Sequence, residues 1–154
     1  MMSEQKKELV VVAIENGTVI DHIPPDKLFK VVSILHVDTL DSQITIGNNL
    51  KSGKMGKKGI IKITGKYYEP NVINKIALIA PNAKLNIIKD YKVIEKRNIS
   101  LPDEINGIIA CLNPKCITNN EPIKTRFHVV DKDNITVKCH YCEQMIQQED
   151  IKMK

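Results

Sequence analysis

The chain has 154 residues, 42% of them hydrophobic and 27% charged, with a formal net charge of +5. This is globular composition, enough for one ordinary domain or two small ones, and it argues against a disordered chain. No apolar run approaches the roughly 18 residues that span a bilayer, and the opening MMSEQKKE is too polar for a signal-peptide core, so a soluble cytoplasmic chain with reduced thiols is expected.

In chain order, LVVVAI (9–14) is a short β-branched run and is expected to be a buried strand. ENG is a turn signal, and TVIDHI (18–23) reads as a short extended piece. Beyond Pro24 and Pro25, the residues Leu28, Val31, Val32 and Leu35 recur at helical spacing, which predicts an amphipathic helix over 25–36. SQITIGNNL (42–50) and GIIKITG (59–65) alternate with period two and predict strands. Pro70 and Pro81 bracket a second helix over 70–80, followed by one long strand at 84–96.

With 18–23 set aside, the order is strand, helix, strand, strand, helix, strand. That is the ferredoxin-like order, an α+β fold with two helices on one face of an antiparallel sheet. The segment RNISLPDEING (97–107) has no clear period and holds Pro and Gly, so the expected domains are 1–101 and 102–154. The second is too small for a large core, and units of that size commonly need a metal staple.

All four cysteines lie in that second part, as C-x4-C and C-x2-C: Cys111, Cys116, Cys139 and Cys142. Two close pairs on tight turns suit a tetrahedral Zn²⁺ held by four thiolates. Asn113 and Pro114 supply turn chemistry in the first pair. TRFHVV and ITVK read as strands joined by DKDN, so a small all-β, zinc-ribbon-like domain is expected. A redox C-x2-C would leave the first pair unexplained, and four thiolates leave no open position for catalysis. His128 and His140 are nearby and could replace one sulfur.

No phosphate-binding G-x-x-x-x-G-K-[ST] loop, nucleophile elbow or H-E-x-x-H occurs, and an enzyme is disfavoured. Asp21 and His22 are adjacent, but on an extended segment neighbouring side chains point to opposite faces. Lys58, Lys62 and Lys96 lie in or beside strands. Periodicity alone reads Lys62 as the polar side of a half-buried sheet, with a phosphate contact as the sharper alternative. The chain has no Trp and only two Phe and four Tyr, so it offers few platforms for stacking single-stranded bases. Neither nucleic acid nor a membrane is an expected partner.

TVIDHIP (18–24), ITIGNNLKSGKMGKKGIIKI (44–63), ALIAPNAKLNIIKDYKV (77–93) and the C-x4-C…C-x2-CE pattern together resemble the regulatory chain of aspartate carbamoyltransferase, over about residues 8–150. The resemblance implies a non-catalytic subunit in pyrimidine biosynthesis, a homodimer that joins catalytic trimers through its zinc domain. It implies CTP as feedback inhibitor and ATP as activator, with UTP and Mg²⁺ strengthening inhibition in some members.

Carried over to matching positions, Val11, Ala13, Ile14 and Val19 frame the base and ribose. Asp21 and His22 stand at the ribose and phosphates, and Lys62, Lys96 and Lys58 at the phosphates or ribose hydroxyls. Asn86, Ile88, Tyr91 and Val93 complete the pocket, with Tyr91 backbone groups reading the exocyclic amine. Three positions depart from a well-known member: Val12 replaces an acidic residue, Lys115 an Asn and Gln144 a Lys. The first bears on nucleotide preference and the others on the subunit interface. A zinc-ribbon nucleic-acid-binding protein is the alternative of a different class, and it predicts steep salt dependence.

Overall fold

The first strand among the residues described by the computed structural model, 13–154, is β1, Gly17–Ile23. The expected opening strand at 9–14 falls mostly outside those residues, and Ala13 and Ile14 belong to no strand. The piece at 18–23 therefore takes the place assigned to 9–14. Val19 and Ile20 have partners on both sides, Lys62 and Ile61 on one and Asn86 and Leu85 on the other, so β1 is a central strand.

A single 3₁₀ turn, Pro25–Lys27, leads into α1, Leu28–Leu35, which His36 ends in the left-handed conformation at φ 50°. The hairpin β2, Ile44–Ser52, and β3, Gly56–Thr64, follows, then α2, Pro70–Ile79. The expected long strand at 84–96 is instead a hairpin, β4 Lys84–Lys89 and β5 Lys92–Asn98. Asp90 and Tyr91 sit between them at φ 53° and 63°. Positive φ at both central residues is the requirement of a tight hairpin turn whose twist matches the strands.

The sheet order is β2-β3-β1-β4-β5, and every described pairing in it is antiparallel. Without β5 this is the ferredoxin-like order, with β5 added at one edge. Ile20, Ile61, Ile63 and Leu85 point to one face and are buried with Leu28, Val31, Leu35, Ile73, Ile76 and Ala77 from the helices. Residues at odd offset from these, Val19, Lys62 and Asn86 among them, project from the opposite face.

The second part holds β6, Glu104–Asn106; β7, Ile109–Ala110; a helical turn α3, Ile117–Asn120; β8, Arg126–Asp131; β9, Thr136–Cys139; β10, Met145–Gln147; and β11, Lys152–Met153. The sheets are β10-β9-β8-β6 and β11-β7. Phe127 and Val137 are fully buried, and the apolar cluster runs without a break from Ile20 through Ile99 and Ile105 to Ile146. Gln148 spans the two parts, its Nε2 donating to the carbonyl oxygens of Leu78 at 2.9 Å and Ile79 at 3.3 Å. No helix among the described residues is long and apolar enough to cross a membrane.

Candidate functional site

The four cysteines converge. Cys111 follows β7, Cys116 precedes α3, Cys139 ends β9 and Cys142 lies in the turn after it. Their sulfurs lie within 4.8 Å of one another, with Cys111 to Cys142 at 3.6 Å and Cys116 to Cys139 at 3.8 Å. A tetrahedral ion with metal–sulfur bonds of about 2.3 Å requires sulfurs about 3.8 Å apart. The separations fit that geometry and are far beyond a disulfide's roughly 2.05 Å.

Local hydrogen bonds set each turn. The Cys116 amide donates to the Asn113 carbonyl and the Lys115 amide to Asn113 Oδ1, both at 3.0 Å. Asn119 Nδ2 donates to the carbonyls of Cys111 and Asn113, while Asn120 Nδ2 serves those of Pro114 and Cys116. In the second turn, Glu143 takes φ 64° and its amide donates to the Cys139 carbonyl.

The thiols differ electrostatically. Burial pushes Cys111 up to about 12 and also raises Cys139. Burial acts on Cys116 too, but hydrogen bonds from the Thr118 hydroxyl and amide outweigh it and hold this thiol at about 7. Cys116 thus ionises more easily than Cys111 or Cys139, and a dication would stabilise the thiolates of all of them. His128 and His140 stand outside the quartet and pair with each other, Nε2 to Nδ1 at 2.9 Å.

The helix-free face of the larger sheet carries the other expected residues. Register places Lys62, Val19, Asn86 and Lys96 in one cross-strand row over β3, β1, β4 and β5. Ile14, Val19 and Ile88 form a small buried cluster with Ile60, and Leu50 packs against it. Beside it, Lys58 Nζ lies 2.8 Å from Asp21 Oδ1 and 3.1 Å from Oδ2.

Asp21 and His22 do not diverge as an extended strand would require. The β1–β3 register shifts between Ile20 and Ile23, and His22 takes φ 58°. Asp21 Oδ2 is consequently 3.5 Å from His22 Nδ1, and the His22 amide donates to Asp21 Oδ1 at 2.7 Å. His22 Nδ1 is buried without a hydrogen-bond partner. Burial lowers the His22 pKa, with Lys58, Lys84 and Lys54 adding to the effect and Asp21 opposing it.

The remaining expected residues are more peripheral. Tyr91 and Val93 are exposed at the hairpin end, and the Tyr91 amide donates to the Glu15 carbonyl at 2.8 Å. Ala13 is exposed, and Val11 lies outside the described residues. The structure adds Ile60 and Leu50 to the apolar floor and Lys54 and Lys84 to the cations. Lys84 precedes Asn86 and Ile88 by even steps, so strand periodicity could have placed it on this face. Lys54 lies in the β2–β3 turn, where periodicity gives no direction.

Two family models cover nearly the whole chain. The aspartate carbamoyltransferase regulatory chain, allosteric domain, matches residues 9–100, and the metal binding domain of the same regulatory chain matches residues 103–152. The aspartate carbamoyltransferase regulatory chain of Parabacteroides distasonis is 60% identical over 154 residues, covering 100% of both chains. That of Bacteroides fragilis is 58% identical over 150 residues, covering 97% of this chain and 98% of its own. That of Pyrococcus abyssi is 47% identical over 146 residues, covering 94% and 96%. With the sulfur quartet and the two-part fold, these matches show that the chain belongs to the family of aspartate carbamoyltransferase regulatory chains, which are non-catalytic subunits.

Proposed function

We propose that the helix-free sheet face binds CTP and ATP competitively, CTP as inhibitor and ATP as activator, and that the signal passes to catalytic trimers of aspartate carbamoyltransferase in pyrimidine biosynthesis. The observation that carries this reading is the row Lys62–Val19–Asn86–Lys96 beside the Ile14–Val19–Ile60–Ile88 cluster. Cations next to an apolar floor suit a ligand with a polyphosphate at one end and a flat base at the other. Both nucleotides have an exocyclic amine and a triphosphate, so shared contacts can hold either. Their different ring sizes can favour different quaternary states, and a ligand shifts such an equilibrium only by its differential affinity.

Residues 1–101 would form the effector domain and 102–154 the domain that contacts the catalytic chain, with Zn²⁺ on the four cysteines as a structural ion. The donor set supports zinc because four thiolates satisfy its tetrahedral preference and close its shell. Regulatory chains would pair as homodimers, and a reducing cytoplasm would keep the thiols available. Lys115 and Gln144 are exposed beside the quartet, where they would alter contacts with the catalytic chain.

Calorimetric titration of the zinc-loaded chain with CTP and ATP tests the reading. Competitive, saturable binding at one site is expected, with at least about a tenfold loss in Lys62→Ala or Lys96→Ala, the scale of one charge-assisted hydrogen bond. Absence of nucleotide binding, or binding of polynucleotides that falls steeply with salt, would overturn it in favour of the nucleic-acid alternative.

A further inference from the structure

The helix-covered side of the larger sheet ends in a cleft of about 410 Å³ that both parts of the chain line. That volume falls in the range of small-molecule sites, about 300–1,000 Å³. Its floor is apolar, with Ile34 from α1, Leu78 and Ile79 from α2, and Ile151 and Met153 from the second part. Three lysines stand around that floor, each from a different element: Lys27 from the 3₁₀ turn, Lys30 from α1 and Lys75 from α2. Among the described residues, none of these three ammonium groups has a hydrogen-bond or ion-pair partner. Ser33 and His36 add polar groups, and Glu149 is the one acidic side chain in the lining. Lysines spread over a convex surface are solvated and need no ligand. Around one hollow they repel each other, and an anion placed among them relieves that repulsion.

We propose that this cleft binds a small organic anion with an apolar body, a carboxylate or phosphate monoester attached to a ring or short hydrocarbon. The excess of ammonium groups over carboxylates suits a mono- or dianion, and the isoleucine and methionine side chains remove its body from water. Either half of such a ligand alone forgoes one set of contacts. The site stands apart from the nucleotide reading, since it shares no residue with the row Lys62–Val19–Asn86–Lys96 and lies on the other side of the sheet. Its position gives binding a consequence. Gln148, which donates to the Leu78 and Ile79 carbonyls, also lines the cleft, so an occupant touches both parts where they dock. A ligand that needs both walls binds only the docked arrangement and therefore favours it.

The test is an isoleucine-methyl NMR titration of the zinc-loaded full chain with phenyl phosphate and with benzoate, and with inorganic phosphate as the body-free control. The Ile34, Ile79 and Ile151 methyl signals should shift and saturate with a Kd on the order of 1 mM, the scale for ligands of this size. Inorganic phosphate should bind there at least about tenfold more weakly. Tighter binding of phenyl phosphate would mark the natural head group as a phosphate monoester, and tighter binding of benzoate as a carboxylate; either supports the site. Lys30→Ala with Lys75→Ala should weaken the preferred probe about tenfold, and Arg at both positions should largely restore it. The free-chain signals of Ile20 and Ile61 in the core should stay in place in these variants, which separates lost binding from lost folding. Ile60 and Ile88 report the helix-free face in the same spectra. Shifts confined to those two, no saturation at Ile34 and Ile151, or equal affinity in the lysine variants would each overturn the proposal and leave the nucleotide reading untouched.

Discussion

At the scale of single residues, Gly17 and His22 show how backbone conformation builds the helix-free face of the larger sheet. Gly17 opens β1 at φ 140°, and a Cβ there would run into the Ile63 carbonyl oxygen. The strain and the backbone clash together predict that Gly17→Ala costs more than about 3 kcal/mol, seen as a lower urea midpoint. His22 titrates below its usual 6.5 because burial favours the neutral ring. Its contribution to stability is therefore complete above 6.5 and is lost as pH falls from there through the lowered folded-state value. Phosphate beside the ring would favour the charged form. An NMR titration should place the midpoint of the His22 ring below 6.5 in the free chain and move it upward with CTP bound; a downward shift would remove His22 from the phosphate end.

At the scale of elements, the β4–β5 turn is both strained and exposed. Asp90 and Tyr91 both hold positive φ; the short Asp side chain tolerates it, whereas for Tyr91 it costs about 1–2 kcal/mol. Tyr91→Gly should raise Tm by roughly 2–4 °C per kcal/mol recovered. The same variant should weaken CTP if the Tyr91 ring covers the base; unchanged affinity would confine the residue's role to its backbone. This turn also marks where the sequence stops being legible. In KLNIIKDYKVIEK alternation holds only as far as Ile87, and Asp90 is the one turn-favouring residue at the reversal, with no Gly or Pro beside it. Only the left-handed backbone at two unremarkable residues divides the run. The two helices were readable because their apolar residues recur with the helical period between prolines. β1 was undervalued because TVIDHI mixes apolar and polar residues, although Val19 and Ile20 are buried on opposite faces at the sheet centre. The cysteine quartet was readable from spacing alone, since paired thiols need little besides two turns. The lysines of the helix-free face were readable only in part, because cross-strand register decides which of them share a row.

At the scale of the whole molecule, the four sulfurs that suit an ion all belong to the second part, although one apolar cluster runs through both. Chelation should expose the amides of β8 and β9 to hydrogen exchange, while those of β1 and β3 stay protected under a core that includes Ile20, Ile61 and Ile63. If β1 exchanged as fast as β9 after chelation, the two parts would be one cooperative unit. Under the proposed assembly, the demetallated chain should also fail to join catalytic trimers, as gel filtration of the mixture would read. The shared apolar cluster predicts that residues near Ile99 and Ile105 respond in between.

Gln148 gives this arrangement a reporter. The last carbonyls of any helix lack partners inside it, and in α2 those of Leu78 and Ile79 receive an amide from the other half of the chain. The end of α2 is therefore tied to the other half through this side chain. A tilt of the metal-binding part would break these bonds, and shifts of the Leu78 and Ile79 carbonyl signals would give a spectroscopic record of that tilt.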